Sequence, residues 1–385
     1  MTQTLKTSER LGVVDALRGF ALLAIVLLHN LEHYNLFLVP ENVPAWLQTI
    51  DKYAWDILFF LFAGKAYATF SLLFGFRFHN AEKRGIDFRG RFAWRMCLLF
   101  LFAQLHALFY NGDILLLYAV VGFALIPVCK LKDKTVFWIA LILLLQPYEW
   151  GRAIYAMINP DYVVATGHYM PYAMRAQEAT ANGNFFEVLC SNISDGQLYS
   201  NIWQVENGRL FQTAALFMFG MLLGRRKYLI KSEESVRFWK KMLKGAVFAF
   251  IPLYCLKTFV PDLLTNPSVQ IPYKIAVPSY ANFAFMIILV SIFTLLWFKK
   301  EKGYGWQSLL IPYGRMSLTN YISQSIMGVI IYYGFGLAMY KYAGATASLL
   351  IALLIFTVQL IFSRWWLARH KQGPLEFLWR KGTWI

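Results

Sequence analysis

The stretch LGVVDALRGFALLAIVLLHN, residues 11–30, decides how this chain is read. Twenty residues of α-helix rise about 30 Å, the thickness of a bilayer's hydrocarbon core. Most of these residues are Leu, Ala, Val and Ile, yet the run also holds Asp15, Arg18 and His29. It is long enough to span and carries charge inside its apolar stretch, so it is expected to be a first transmembrane helix, not a cleavable leader. Asp15 and Arg18 are spaced i,i+3 and share a face. His29 follows Asp15 by close to four helical turns, on the same stripe and about 21 Å further along.

The remainder repeats this pattern. The composition is 58% hydrophobic and only 15% charged, whereas a soluble domain carries roughly 25% charged residues. Apolar runs near 11–30, 54–76, 93–110, 113–129, 135–156, 206–224, 243–260, 277–298, 313–337 and 345–367 predict about ten transmembrane helices. The expected fold is therefore an all-α polytopic bundle forming one transmembrane domain over 1–385. The run at 54–76 is interrupted by Gly64-Lys65, and the run at 135–156 ends in the polar Gln146-Pro147-Tyr148-Glu149. Lys and Arg alternate between the two sides. Of 37, 27 fall in one set of segments and 7 in the other, with Arg18, Lys65 and Arg315 inside helices. The richer side is cytoplasmic by the positive-inside rule. Both termini are thus expected in the cytoplasm, with a basic loop at about 225–244, an outer loop at about 157–205 and a cytoplasmic tail at about 368–385. The net charge of +16 comes in short clusters between apolar blocks, not as one contiguous basic surface, so no nucleic-acid partner is expected. Cys97, Cys129, Cys190 and Cys255 have no metal-type spacing and imply no disulfide framework.

Ionisable residues within a bilayer are costly and mark functional candidates. Besides Asp15, Arg18 and His29, the chain places Lys65 near mid-bilayer, where it needs a carboxylate, a phosphate or water. A structural pair with Asp56 or Asp113 would satisfy it. His106 ends one apolar run and Asp113 opens the next across the short turn Asn111-Gly112-Asp113. The two should be neighbours near the outer surface, the carboxylate orienting the imidazole. Asp113 would equally serve as a helix N-cap for the Leu115 or Leu116 amide. Arg315, near the cytoplasmic end of its helix, could fork onto a phosphate. Asn320 and Gln324, spaced i,i+4, could bind a ligand or bond helix to helix. His29, Glu32 and His33 match the H-x-x-E-H pattern of inverted zinc proteases, but at a membrane boundary and without a further ligand, so no metal is expected.

These stretches resemble a known family. Asp15-Ala-Leu-Arg18-Gly19, Lys65 with Leu73-Phe74-Gly75, His106 with Gly112-Asp113-Ile114-Leu115, Gly314-Arg315-Met316-Ser317-Leu318-Thr319-Asn320-Tyr321 with Gln324, and Gly373-Pro374-Leu375-Glu376 are similar, in order and spacing, to the YeiB-like bacterial membrane proteins (domain of unknown function 418). That family is distantly similar to the transmembrane acyltransferases, the acyltransferase-3 group and the heparan-glucosamine acetyltransferases. The link is the Asp-x-x-Arg-Gly pattern followed, fourteen residues after the Asp, by His29. The resemblance implies a multi-pass protein of the bacterial inner membrane that takes an acyl group from cytosolic acyl-CoA and passes it to an acceptor at the outer face.

On that expectation Arg18, Lys65 and Arg315 bind the donor, with Asp15, Asn320 and Gln324 completing the polar set. His106 or His29, oriented by Asp113, acts as general base. The expected partners are membrane lipids, acyl-CoA or another anionic small molecule, and a second copy of the chain in a homodimer. Two other functions compete: a transporter or flippase for an anionic or lipidic solute, and a non-catalytic scaffold or sensor. Fold kinship does not choose among them.

Overall fold

The computed structural model describes residues 11–40, 43–82, 88–300 and 305–384, and every regular element among them is a helix. Helix α1 (Gly12–Leu31) contains no proline and is buried along most of its length, Asp15 and Arg18 included. It is the central helix. The chain leaves it through a turn in which His33, Tyr34, Asn35 and Phe37 all have positive φ, between 48° and 74°. Helices α2 (Ala45–Phe62) and α3 (Ala66–Glu82) form one long rod broken at Ala63-Gly64-Lys65, where Gly64 takes φ +76°. Next come α4 (Phe88–Ala107), α5 (Leu115–Gly122) and α6 (Leu125–Val128), then α7 (Asp133–Leu144) and α8 (Pro147–Ile158). The segment expected as an outer loop folds as α9 (Met170–Asn182), α10 (Phe185–Ser191) and α11 (Gln197–Glu206). The second half comprises α12 (Arg209–Arg225), α13 (Glu233–Phe259), α14 (Pro267–Lys299), α15 (Ile311–Arg315), α16 (Ser317–Tyr332), α17 (Ala345–Arg369) and α18 (Pro374–Thr383).

Five of these are long and apolar enough to cross a bilayer: α1, the α2–α3 rod, α13, α14 and α17. The other five expected spans are helical but shorter, broken or more polar, so the described residues hold five helices of that kind and the expected count of about ten is not confirmed. Helix α4 carries Arg89, Arg91 and Arg95 in its first half, and α12 has 17 residues. The run at 113–129 divides into α5 and α6. The run at 135–156 divides at Gln146, which sits at φ 52° before Pro147. Proline has no amide proton to continue the helical ladder. The run at 313–337 is split between α15 and α16 at Met316.

Glycines set the closest helix approaches. A Cβ on Gly75 of α3 would collide with the Phe217 carbonyl of α12, and one on Gly220 of α12 would collide with the Leu72 carbonyl of α3. Helices α1 and α15 meet in the same way, Gly314 lying against the Asp15 carbonyl. Small residues let backbones approach where lipid supplies no hydrophobic drive between helices. The outward faces are apolar. Phe248 is 81% exposed, Ile251 61%, Leu350 64% and Leu354 65%, a pattern suited to a hydrocarbon solvent and costly in water.

The tail is fixed to the bundle. Glu376 Oε1 accepts the Leu318 amide at 2.7 Å and the Thr319 amide at 3.2 Å, and its Oε2 accepts the Thr319 hydroxyl at 2.7 Å. Glu376 thereby satisfies otherwise orphaned donors at the start of α16. The Gly373-Pro374-Leu375-Glu376 motif is accounted for by this cap.

Candidate active site

The sequence keeps His106 and Asp113 close, since only six residues separate His106, in the last turn of α4, from Asp113, two residues before α5. In the structure the His106 Nδ1 to Asp113 Oδ1 distance is 2.7 Å, with both side chains buried. Asp113 Oδ2 accepts the Leu116 amide at 3.1 Å, so the cap and the imidazole partner are the same carboxylate. Opposite a carboxylate, Nδ1 carries the proton, which leaves the His106 Nε2 lone pair turned the other way. That nitrogen is buried with no hydrogen-bond partner.

His29, one turn from the end of α1, faces the same space. The His29 ring centre lies 5.2 Å from that of Tyr110 and 6.3 Å from that of Tyr321. His106 contacts the same two rings at 5.9 and 5.2 Å. Tyr34 forms a further wall, 5.6 Å from His29, and its hydroxyl donates to the Gln324 carbonyl of α16 at 2.9 Å. His29 Nδ1 and both amide atoms of Gln324 are also buried without partners. Two imidazoles thus converge with unused hydrogen-bonding capacity inside a tyrosine cage, and the Gln324 side chain, buried with neither amide atom partnered, comes from α16, the helix that supplies Tyr321. Buried polar atoms are normally satisfied, so a cluster of such orphans marks a place for water or a ligand.

The segment carrying α9 to α11 covers this cage. Gln204 of α11 donates to the Asp113 carbonyl at 3.2 Å, Gln197 donates to Gln104 at 3.0 Å, and Asn192 donates to the Leu108 carbonyl at 3.0 Å. Glu32, the first residue past α1, is half-buried there, and burial pushes its carboxyl up to about 7. The H-x-x-E-H spacing does not assemble a ligand set among the described residues. His33 is turned away, with Nδ1 2.8 Å from the Leu38 carbonyl and Nε2 2.9 Å from Ser348 Oγ.

The other predicted positions are spread over three places. Asp15 and Arg18 pair at 3.4 Å, and Arg18 also donates to the Leu73 carbonyl at 3.3 Å. Gly314 packs on the backbone of Asp15, so Arg315 emerges beside this pair and donates to the Lys371 carbonyl at 3.1 Å. Asn320 is committed elsewhere. It donates to the Tyr313 carbonyl and to Ser363, while Gln359 donates to the Asn320 carbonyl, tying α15, α16 and α17 together. Lys65 joins neither Arg18 nor either histidine; it lies among Phe60, Phe285 and Lys257. Asp56 pairs with Lys52 at 4.0 Å and Asp113 with His106, so neither expected carboxylate reaches Lys65. The tyrosine cage and the Glu32 carboxyl at its edge were not anticipated. The tyrosines come from three separate segments, and nothing in their spacing signals a meeting.

Comparison with known proteins shows what the chain resembles. Residues 223–385 match the model of a family described as protein of unknown function (DUF418). The chain is 29% identical to the uncharacterized protein YxaH of Bacillus subtilis (strain 168), covering 98% of this chain and 95% of the relative. It is also 29% identical to an uncharacterized 39.9 kDa protein in the amylase 3' region of Bacillus acidopullulyticus, covering 97% and 94%. Identity to the uncharacterized protein YeiB of Escherichia coli (strain K12) is 26%, covering 97% and 96%. No solved structure matches the chain.

Proposed function

We propose that this chain, which is similar to YeiB and matches the DUF418 model over residues 223–385, is a multi-pass inner-membrane acyltransferase with both termini in the cytoplasm. It would move an acyl group from a cytosolic acyl-CoA-type donor to an acceptor at the outer face. The observation that carries this reading is the His106–Asp113 dyad with its unused Nε2 inside a covered polar cage. A carboxylate-oriented imidazole with a free second nitrogen is the arrangement of a general base.

The chemistry follows from that nitrogen. His106 Nε2 takes the proton of an acceptor hydroxyl or amine as the acceptor attacks the thioester carbonyl. The carbon–sulfur bond breaks, the thiolate leaves, and the imidazolium returns the proton to sulfur as free thiol. His29, whose buried Nδ1 is unpartnered, would hydrogen-bond the acyl oxygen or the acceptor, with the buried Gln324 amide as a second candidate. Arg18, near the inner end of α1, and Arg315, next to the Gly314 that packs on the Asp15 backbone, are the cations we assign to the donor's phosphates. Eleven residues of helix, about 16 Å, separate Arg18 from His29, a gap that the donor's extended arm would bridge.

The test is thiol release from acetyl-CoA by the purified full-length protein in nanodiscs. Release by the wild type that is lost in His106→Ala supports the proposal. No binding and no thiol release, under conditions where a transmembrane acyltransferase control is active, would sink it.

A transporter or flippase is the second reading, favoured by the rod broken at Gly64-Lys65 with a cation at the break. Interrupted helices line solute paths in many carriers. Movement of an anionic solute or lipid across proteoliposomes without acyl-CoA would select this reading over the first.

A further inference from the structure

Lys65 is only 4% exposed, yet it sits at the break between α2 and α3 in an apolar setting. Its Nζ lies 5.7 Å from the centre of the Phe60 ring and 5.5 Å from that of Phe285. Phe60 stands edge-on to Tyr254 at 5.7 Å, and Lys257 Nζ lies 6.0 Å from the centre of the Tyr254 ring. Phe250, 5.4 Å from Tyr254 and 5.0 Å from Phe285, completes the ring cluster. Two ammonium groups, one at the break after α2 and one on α13, therefore border one aromatic groove. Among the described residues neither has an ion pair or a side-chain hydrogen bond, and the candidate carboxylates Asp56 and Asp113 are engaged with Lys52 and His106.

Ring faces attract a cation weakly and do not neutralise it. A charge below the membrane surface persists when it has a counter-charge or a water path. Two cations with no anionic partner among the described residues point to an anion from outside. The groove opens sideways, since Phe60 is 40% and Tyr254 38% exposed. The exposed Phe248 and Ile251 continue along α13. Lys257 lies two residues from the end of α13, the end opposite Lys240, Lys241 and Lys244. The groove therefore faces the leaflet away from that basic end.

We propose that Lys65 and Lys257 bind the phosphate group of a membrane amphiphile, with its hydrocarbon chains laid along the exposed apolar face of α13. Ammonium groups suit phosphate as point charges, and a ligand carrying its own chains needs no closed cavity. This site is independent of the acyl-transfer reading and stands or falls separately from it.

The test uses the purified full-length chain in net-neutral detergent, with dioleoyl phosphatidylglycerol, dioleoyl phosphatidylcholine and inorganic phosphate as probes. Bound lipid is counted by native mass spectrometry and stability is read by thermal melting. In the wild type, phosphatidylglycerol is retained and raises the melting temperature while phosphatidylcholine does not. In the K65M/K257M variant, phosphatidylglycerol binds roughly tenfold more weakly or worse. The K65R/K257R variant keeps binding. A K240M/K241M variant, which alters only the opposite basic end, keeps the contrast between wild type and K65M/K257M. A melting rise with inorganic phosphate alone retains the anion site and assigns it to a soluble phosphate compound. Equal phosphatidylglycerol responses in wild type and K65M/K257M, or no response to any probe, overturn the proposal.

Discussion

Replacing Asp113 with Asn should silence the cage while leaving the fold in place. The reasoning runs through hydrogen-bond direction. Asp113 accepts from two groups, His106 Nδ1 at 2.7 Å and the Leu116 amide at 3.1 Å. A backbone amide can only donate, so the new carboxamide must keep its oxygen toward Leu116 and turn its NH2 toward His106. The imidazole then accepts at Nδ1 and moves its proton to Nε2. Nε2 becomes a donor, and the base is lost without any change of shape. General-base catalysis contributes about 10²–10⁴-fold, equivalent to about 3–5 kcal/mol of barrier. The same substitution exchanges one hydrogen bond for another and should cost no more than about 1 kcal/mol of stability. Thiol release from acetyl-CoA in nanodiscs measures the first quantity, thermal melting the second, and ¹⁵N imidazole shifts report the tautomer. A wild-type rate in D113N, with the tautomer shown to have switched, refutes the role given to Nε2.

Other outcomes follow from the same geometry. Glu376→Ala removes three acceptor contacts from the start of α16 and should cost about 2–3 kcal/mol by thermal melting; Glu376→Gln, which still accepts, should fall between. Gly314→Ala forces a methyl group into the Asp15 carbonyl, and overpacking of this kind costs about 1–3 kcal/mol, read as a lower melting temperature in detergent. Glu32 carries its carboxyl raised to about 7, so the folded protein holds a proton that the unfolded chain releases near 4.3. Its contribution is therefore complete below that lower value and is lost as pH rises through about 7. Glu32→Gln should flatten the melting temperature across that window, and an unchanged pH profile would discount the shift.

The continuous apolar runs that became α1, α13, α14 and α17 were legible because length and hydropathy suffice for a helix in lipid. In the run at 135–156 the polar Gln146-Pro147 already marked an irregularity, and the backbone breaks there, with Gln146 at φ 52°. In the site, His106 and Asp113 could be paired from their short turn. Tyr34, Tyr110 and Tyr321 could not, because their meeting depends on how α1, α4 and α16 pack. Lys65 was expected beside Arg18 as a donor contact. Instead it is Leu73, eight residues or about 12 Å further along the rod, whose carbonyl meets Arg18. Asn320 looked like a ligand contact from its helical spacing with Gln324. Only tertiary partners reveal that Asn320 is saturated and Gln324 is not.

The turn after α1 has a last consequence. His33, Tyr34 and Asn35 are successive left-handed residues, a conformation costing roughly 1–2 kcal/mol at each residue. Such a hairpin behaves as a loaded spring. Its catches are the Tyr34 hydroxyl on Gln324, the Tyr333 hydroxyl on the Tyr34 carbonyl and the Asn35 amide on Asn111. A wall held under tension does not mould itself to whatever arrives, so molecules entering beside His29 would be sorted by fit and not by accommodation.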